Sequence, residues 1–255
     1  MLSRLPALSR RSALLCFSTA ATLVAAGILY AFAQYPEGFD WAYTVISALA
    51  SLRQNPDGGR WLAASLLVAV AFLWPMARYF ADTYGREGAL PRAAVVTLKV
   101  GLVGAALLGL EGTFDLQYSR RVDKAHEAVA LVTFLGFYGG VLGLFAHRIV
   151  SGARHALPAL AVVLPLVAIG ISQLILYLDQ RDLGWVGPDW RAIGVPVWLS
   201  FAFWQWLAVL FLGMGLGYLV ASGPPLGDGR RGGLRPGPSG ENVEPETVNP
   251  KREPA

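Results

Sequence analysis

Charge and sulfur are scarce in this chain. Of its 255 residues only 15% are Asp, Glu, Lys or Arg, well under the roughly one-quarter usual in soluble domains. Water is therefore not expected to be its main solvent. The single cysteine, Cys16, excludes an intrachain disulfide and a multi-cysteine metal site. Histidine is nearly as rare, with His126, His147 and His155 as the full set. The first stands at one end of an apolar run and the other two at or beyond its far end, about 30 Å away at ~1.5 Å per helical residue. One zinc or one bis-histidine haem cannot join them, so no metal and no cofactor is expected. The sequence holds no CxxC, HExxH, phosphate-binding GxxxxGK or GxSxG motif. Its net charge of +4 arises without a Lys/Arg-rich helix or an aromatic-interleaved basic stripe, which argues against a nucleic-acid partner.

What the chain does have is apolar length. Hydrophobic residues make up 55% of it and fall in six runs, at about 13–33, 61–80, 93–112, 125–147, 157–178 and 197–220. Each run is about one bilayer thick when helical. Hydrocarbon offers the backbone no water, so each run must close its own hydrogen bonds as an α-helix; the alternating segments of a barrel are absent. The expected fold class is all-α, a polytopic six-transmembrane-helix bundle over residues 1–222. From Gly223 to Ala255, seven Gly and seven Pro among 33 residues leave too little apolar surface to offset ordering entropy, and a disordered cytoplasmic tail is expected. The Ala/Gly/Arg/Pro-rich usage is bacterial in character.

Lys and Arg set the expected orientation. With the N-terminus inside, 13 basic residues fall in inner segments and seven in outer ones, with Lys99 within a run. Arg4, Arg10 and Arg11 precede the first run with no acid nearby, and Tyr35, Trp41, Tyr43, Trp61, Trp185, Trp190 and Trp198 gather where an outer interfacial belt belongs. The cell membrane with both termini cytoplasmic is the resulting expectation. Ser9-Arg10-Arg11 followed by apolar residues also resembles a twin-arginine export signal, with Ala31-Phe32-Ala33 as a cleavage site. The stretch from Ala13 to Ala33 is longer than a signal core of about 7–15 residues, which favours a retained first helix.

Lipid tails are as apolar as leucine, so helices in a bilayer associate through close contact at small residues. The third run carries Gly101, Ala105, Gly109 and Gly112, the fourth Gly136, Gly139, Gly140 and Gly143, and the sixth Gly213 and Gly217. These seams serve either packing within one bundle or a homo-oligomer. Pro165 is expected to kink the fifth helix.

Polar residues within this frame are the candidates for chemistry. Glu111, Asp115, Asp123, His126 and Glu127 fall within seventeen residues at the outer end of the third and fourth runs. At ~100° per residue Glu111 lies about 20° from Gly104, and Asp115 shares that edge if the helix continues. Asp123 stands three and four residues before His126 and Glu127, a spacing that lets a carboxylate hold an imidazole in one tautomer. These five are the catalytic or proton-relay candidates; the alternative is a solvated helix entrance capped by Asp123. Lys99, Ser172, Gln173 and Gln205 are candidates for substrate or lipid contact, against snorkelling for Lys99 and interhelical hydrogen bonds for the rest. Ser47 joins them from the first outer connection. There Trp41 to Leu52 is too short to span and too apolar for a free loop, so it should lie in the interface or cap the bundle.

Six helices, Ile46-Ser47-Ala48-Leu49 followed by Asn55-Pro56-Asp57-Gly58, and His126 opening the fourth run resemble an uncharacterised bacterial six-helix membrane family. That family is distantly similar to the DRAM-type and GPI-lipid-remodelling membrane proteins. The resemblance covers about residues 12–220 and implies a multi-pass protein without established catalytic residues, concerned with lipid or envelope state. Its members often place an acid near the first-loop serine, whereas Ala48 follows Ser47 here. The leading expectation is a lipid-associated or accessory envelope protein with membrane lipids as partners. The alternative is an intramembrane enzyme or proton-coupled transporter using the carboxylate/histidine cluster.

Overall fold

A computed structural model describes residues 8–116, 124–152, 156–179 and 196–223. Among them are six long helices, α1 (Arg10–Ala33), α3 (Gly59–Tyr84), α4 (Ala89–Phe114), α5 (Ala125–Ser151), α6 (Ala156–Asp179) and α7 (Phe201–Ala221). A one-turn helix, α2 (Ile46–Leu49), lies between α1 and α3, and a 3-10 turn, Val197–Leu199, precedes α7. No strand occurs among the described residues. All six long helices are long and apolar enough to cross a membrane, and the chain is an all-α multi-pass membrane protein. The expected tail lies outside the described residues, apart from Gly223.

The helices overrun the apolar stretches that announce them. α3 continues past residue 80 to Tyr84 and α5 past 147 to Ser151, because a helix persists for a turn beyond hydrocarbon if its polar end is solvated. Ser9 starts α1 as its N-cap, its side chain accepting from the Ser12 amide at 3.1 Å. Pro75 and Pro165 lie inside α3 and α6, which run through them. At the sixth run the sequence reading places one helix from 197, whereas the backbone forms a 3-10 turn and restarts at Phe201, with Ser200 extended between them.

α4 sits between α3 and α5, α3 packs on α1, and α7 closes the bundle against α1, α5 and α6. Glycine makes the tightest of these contacts possible. A Cβ on Gly101 would stand 2.9 Å from the Phe137 backbone nitrogen, and one on Gly140 would stand 2.7 Å from Leu98 Cβ. Gly109 and Gly112 face Leu67 and Ala63 of α3 in the same way. The seams of α4 and α5 therefore serve packing within one chain. On α7, Gly217 meets Phe17 while Gly213 has nothing within 4 Å of its Cβ position.

The start of α1 and the end of α7 meet at one end of the bundle, where Arg10 donates to the Gly223 carbonyl at 3.2 Å. Toward that end lies the larger core, including Met76, Tyr79, Phe80, Leu98, Leu144, Phe145 and Leu219. The opposite end is closed by the segment 34–58, which folds over it as a cap. Leu49 and Asn55 of this segment are fully buried. Elsewhere large apolar side chains point outward, among them Leu157 at 79% and Val150 at 83% exposure, a surface suited to hydrocarbon.

Candidate functional site

At the cap end α4 stops because Asp115 takes a left-handed conformation (φ 49°) and returns its amide to the Glu111 carbonyl. α5 begins after Lys124, also left-handed (φ 58°). Glu111 thus occupies the last turn of one helix and His126 the first turn of the next. Across that junction Glu111 Oε2 lies 2.8 Å from His126 Nδ1. The carboxylate is largely buried, with a side-chain exposure of 13%, while the imidazole retains 44%. A carboxylate only accepts, so the ring nitrogen facing it carries the proton and the tautomer is fixed. In the neutral ring this puts the lone pair on Nε2, the arrangement in which a carboxylate-held histidine accepts protons.

His126 lines a cavity of about 1320 Å³ between α5, α6, α7 and the cap. Near the cap its wall carries Tyr43, Ser47, Lys124, Glu127, Asp179, Ser200 and Gln205. Deeper along α5 and α6 it is lined by Leu131, Phe134, Leu135, Gly170 and Leu174, with Tyr138 and Gln173 between them. Tyr138 Oη donates to Gln173 Oε1 at 3.4 Å and links α5 to α6. Gln205, buried on α7, accepts from the Ile46 amide at 2.9 Å, so it carries the start of α2 and sets Ser47 beside the cavity. Trp206 adds a second tie, its Nε1 donating to the Thr44 carbonyl at 3.3 Å.

Of the sequence-derived candidates, Ser47, His126, Glu127, Gln173 and Gln205 share this cavity, and Glu111 stands behind His126. Asp115 is exposed at the helix end, since the helix does not continue through it. Asp123 lies outside the described residues. Ser172 donates back to the Ala168 carbonyl of its own helix at 2.9 Å and does not line the cavity. Lys99 lies elsewhere, at one end of a smaller apolar groove of about 480 Å³ between α4 and α5, beside Val96, Val103 and Val132. No group of three or more metal-ligating side chains occurs among the described residues.

Sequence reasoning overlooked four further residues of this region. Tyr43, Tyr138 and Tyr177 are scattered apolar-run or belt aromatics with no local signature, and Asp179 closes its run without a nearby partner in sequence. Asn55, read as part of a turn, is fully buried and donates to the carbonyls of Ala31 at 2.8 Å and Leu49 at 3.0 Å. A buried amide with that many partners is a structural pin.

The end with the termini holds a second polar group. Arg148 is 7% exposed and donates to Ser222 Oγ, to Tyr84 Oη and to the Leu219 carbonyl, with Tyr84 and Tyr218 rings flanking its guanidinium. Beside it His147 Nε2 meets Glu87 Oε2 at 2.6 Å. Compared with protein-family models, with curated proteins and with solved structures, the chain matches none.

Proposed function

We propose that this multi-pass protein binds a lipid or lipid-like amphiphile in the cavity beneath its cap, and that it lies in the cell membrane with the cap outside and both termini in the cytoplasm. One observation carries the reading: the cavity joins polar groups at the membrane boundary to an apolar channel between α5 and α6. Its volume of about 1320 Å³ exceeds the range of about 300–1,000 Å³ typical of drug-sized ligands, as a chain-bearing molecule requires. Leu131, Leu135 and Leu174 are between half and two-thirds exposed along it, so acyl chains can enter sideways from the bilayer. The distant likeness to DRAM-type and GPI-lipid-remodelling proteins belongs to the same proposal.

The test is photolabelling. The protein is placed in nanodiscs containing phosphatidylcholine with a diazirine on its acyl chain, and adducts are mapped by mass spectrometry. Adducts should concentrate at Leu131, Leu135 and Leu174, and Leu135→Trp should reduce them without reducing those at Leu157. Even labelling of all exposed leucines would defeat the proposal.

A second reading, an intramembrane enzyme or proton-coupled transporter, is favoured by the Glu111–His126 pair at the edge of the same cavity. It predicts that Glu111→Gln impairs turnover or transport while leaving amphiphile labelling intact.

A further inference from the structure

We infer that His126 selects an amphiphile whose headgroup carries a free hydroxyl, accepting that hydroxyl's hydrogen bond at Nε2, with Glu111 as the positioning residue. The inference rests on the amphiphile reading of the cavity and deepens it. Glu111 occupies Nδ1, and no hydrogen bond to Nε2 forms among the described residues. His126 lines the cavity, so its ring is within reach of whatever fills the headgroup end. With Nδ1 donating to the carboxylate, the neutral ring offers Nε2 as an acceptor to a donor in the cavity.

His126 is the second residue of α5, in the turn that carries the helix's free amides. The charged groups around it are Lys124 at the N-cap, Glu111 and Asp115 from α4, Glu127 from α5 and Asp179 from α6, with the phenols of Tyr43 and Tyr177 nearby. Around the same chamber Ser47, Tyr138, Gln173 and Gln205 present neutral donors and acceptors. A hydroxyl suits that wall, because it donates once and accepts twice and brings no charge. A headgroup with only ester oxygens has nothing to give Nε2.

The experiment is competition against the diazirine phosphatidylcholine by three single-chain probes: monooleoylglycerol with two free hydroxyls, methyl oleate with none, and oleyl phosphate, a charged headgroup without an alcohol. In the native chain monooleoylglycerol should protect Leu131 and Leu135 at about fivefold lower concentration than methyl oleate, the value of one hydrogen bond. That advantage should vanish in His126→Phe and shrink in Glu111→Gln, while methyl oleate competes alike in all three proteins. ¹⁵N NMR of labelled histidine needs no variant. The native His126 should show the Nδ1–H tautomer, and Glu111→Gln, whose amide can donate to Nδ1, should move the proton toward Nε2.

Equal competition by monooleoylglycerol and methyl oleate would overturn the hydroxyl assignment while leaving the cavity reading intact. So would stronger competition by oleyl phosphate, or an imidazolium signal in the native chain. Failure of every probe, with even labelling of exposed leucines, would instead defeat the cavity reading and this inference with it.

Discussion

Arg148 of α5 donates to the phenol of Tyr84 at the end of α3, in a site where neither residue is more than 7% exposed. The guanidinium also holds the Leu219 carbonyl and Ser222 Oγ, so one cation ties three helices where both termini emerge. No carboxylate pairs with Arg148 among the described residues; its charge is met by hydroxyls, two aromatic faces and the negative C-terminal end of α7. Each acceptor therefore matters. Tyr84→Phe should lower stability in detergent by about 1–3 kcal/mol, because it leaves a buried donor short of a partner. In an Arg148→Met background the same substitution should cost much less. Thermal unfolding of the four proteins of this double-mutant cycle checks it, and additive losses would mean that the pair is not coupled.

Asn55 should be the most sensitive position in the cap. Asn55→Ala strips donors from the carbonyls of Ala31 and Leu49 and an acceptor from the Gly58 amide. A loss of about 2–4 kcal/mol is expected from two buried carbonyls left without partners. Trypsin should cut at Arg53 faster in the variant than in the native protein, since releasing the cap exposes that segment. An unchanged cleavage rate would show that the cap is held by its apolar contacts alone.

The six spans were legible because apolar length is a property of local composition, and each helix lies where its run places it. Their ends were not, since Tyr84 and Ser151 close helices that continue beyond the greasy stretch. Of the five clustered candidates Glu111 and His126 meet, a pairing that the sequence does not announce. Local spacing links His126 to Asp123, which lies outside the described residues, and offers no sign of the contact across the helix junction to Glu111. Gln205 and Ile46 are separated by 159 positions, and no periodicity reports a contact of that kind. Ser47 reaches the cavity only because Gln205 and Trp206 anchor the backbone on either side of Val45.

Two glycines should respond oppositely to a methyl group. Gly101→Ala places Cβ 2.9 Å from a backbone nitrogen of α5, contact that α4 can relieve only by moving away. Overpacking of this kind costs about 1–3 kcal/mol. Gly213→Ala meets open space within 4 Å and should be neutral or slightly stabilising, as Ala is the better helix former. Thermal unfolding separates them. Light scattering of Gly213→Leu adds a check on association, since a particle mass equal to the native one would remove α7 from any homo-oligomer seam.

Gln205→Leu should loosen α2 without disturbing the bundle. The substitution deprives the Ile46 amide of its acceptor, worth about 1 kcal/mol net, while keeping apolar volume on α7. The cap remains pinned by Asn55, so the loss should be local. Hydrogen exchange at the Ile46–Leu49 turn should accelerate by about fivefold, with little change in α3 or α4. Acceleration spread over the whole chain would show that this contact supports the global fold.

Orientation can be read with thiols because the chain supplies only Cys16, which Cys16→Ser removes. Into that background a cysteine is placed at Ser47, exposed on the cap, or at Ser151, exposed at the opposite end of α5. Arg4 ahead of α1, Arg10 and Arg11 in its first turn, and the excess of basic residues on that side favour retention of the Ser151 end in the cytoplasm. A membrane-impermeant maleimide should therefore label Ser47→Cys in intact cells and Ser151→Cys only after permeabilisation. The reverse pattern would invert the protein in the membrane and turn the His126 cavity toward the cytoplasm.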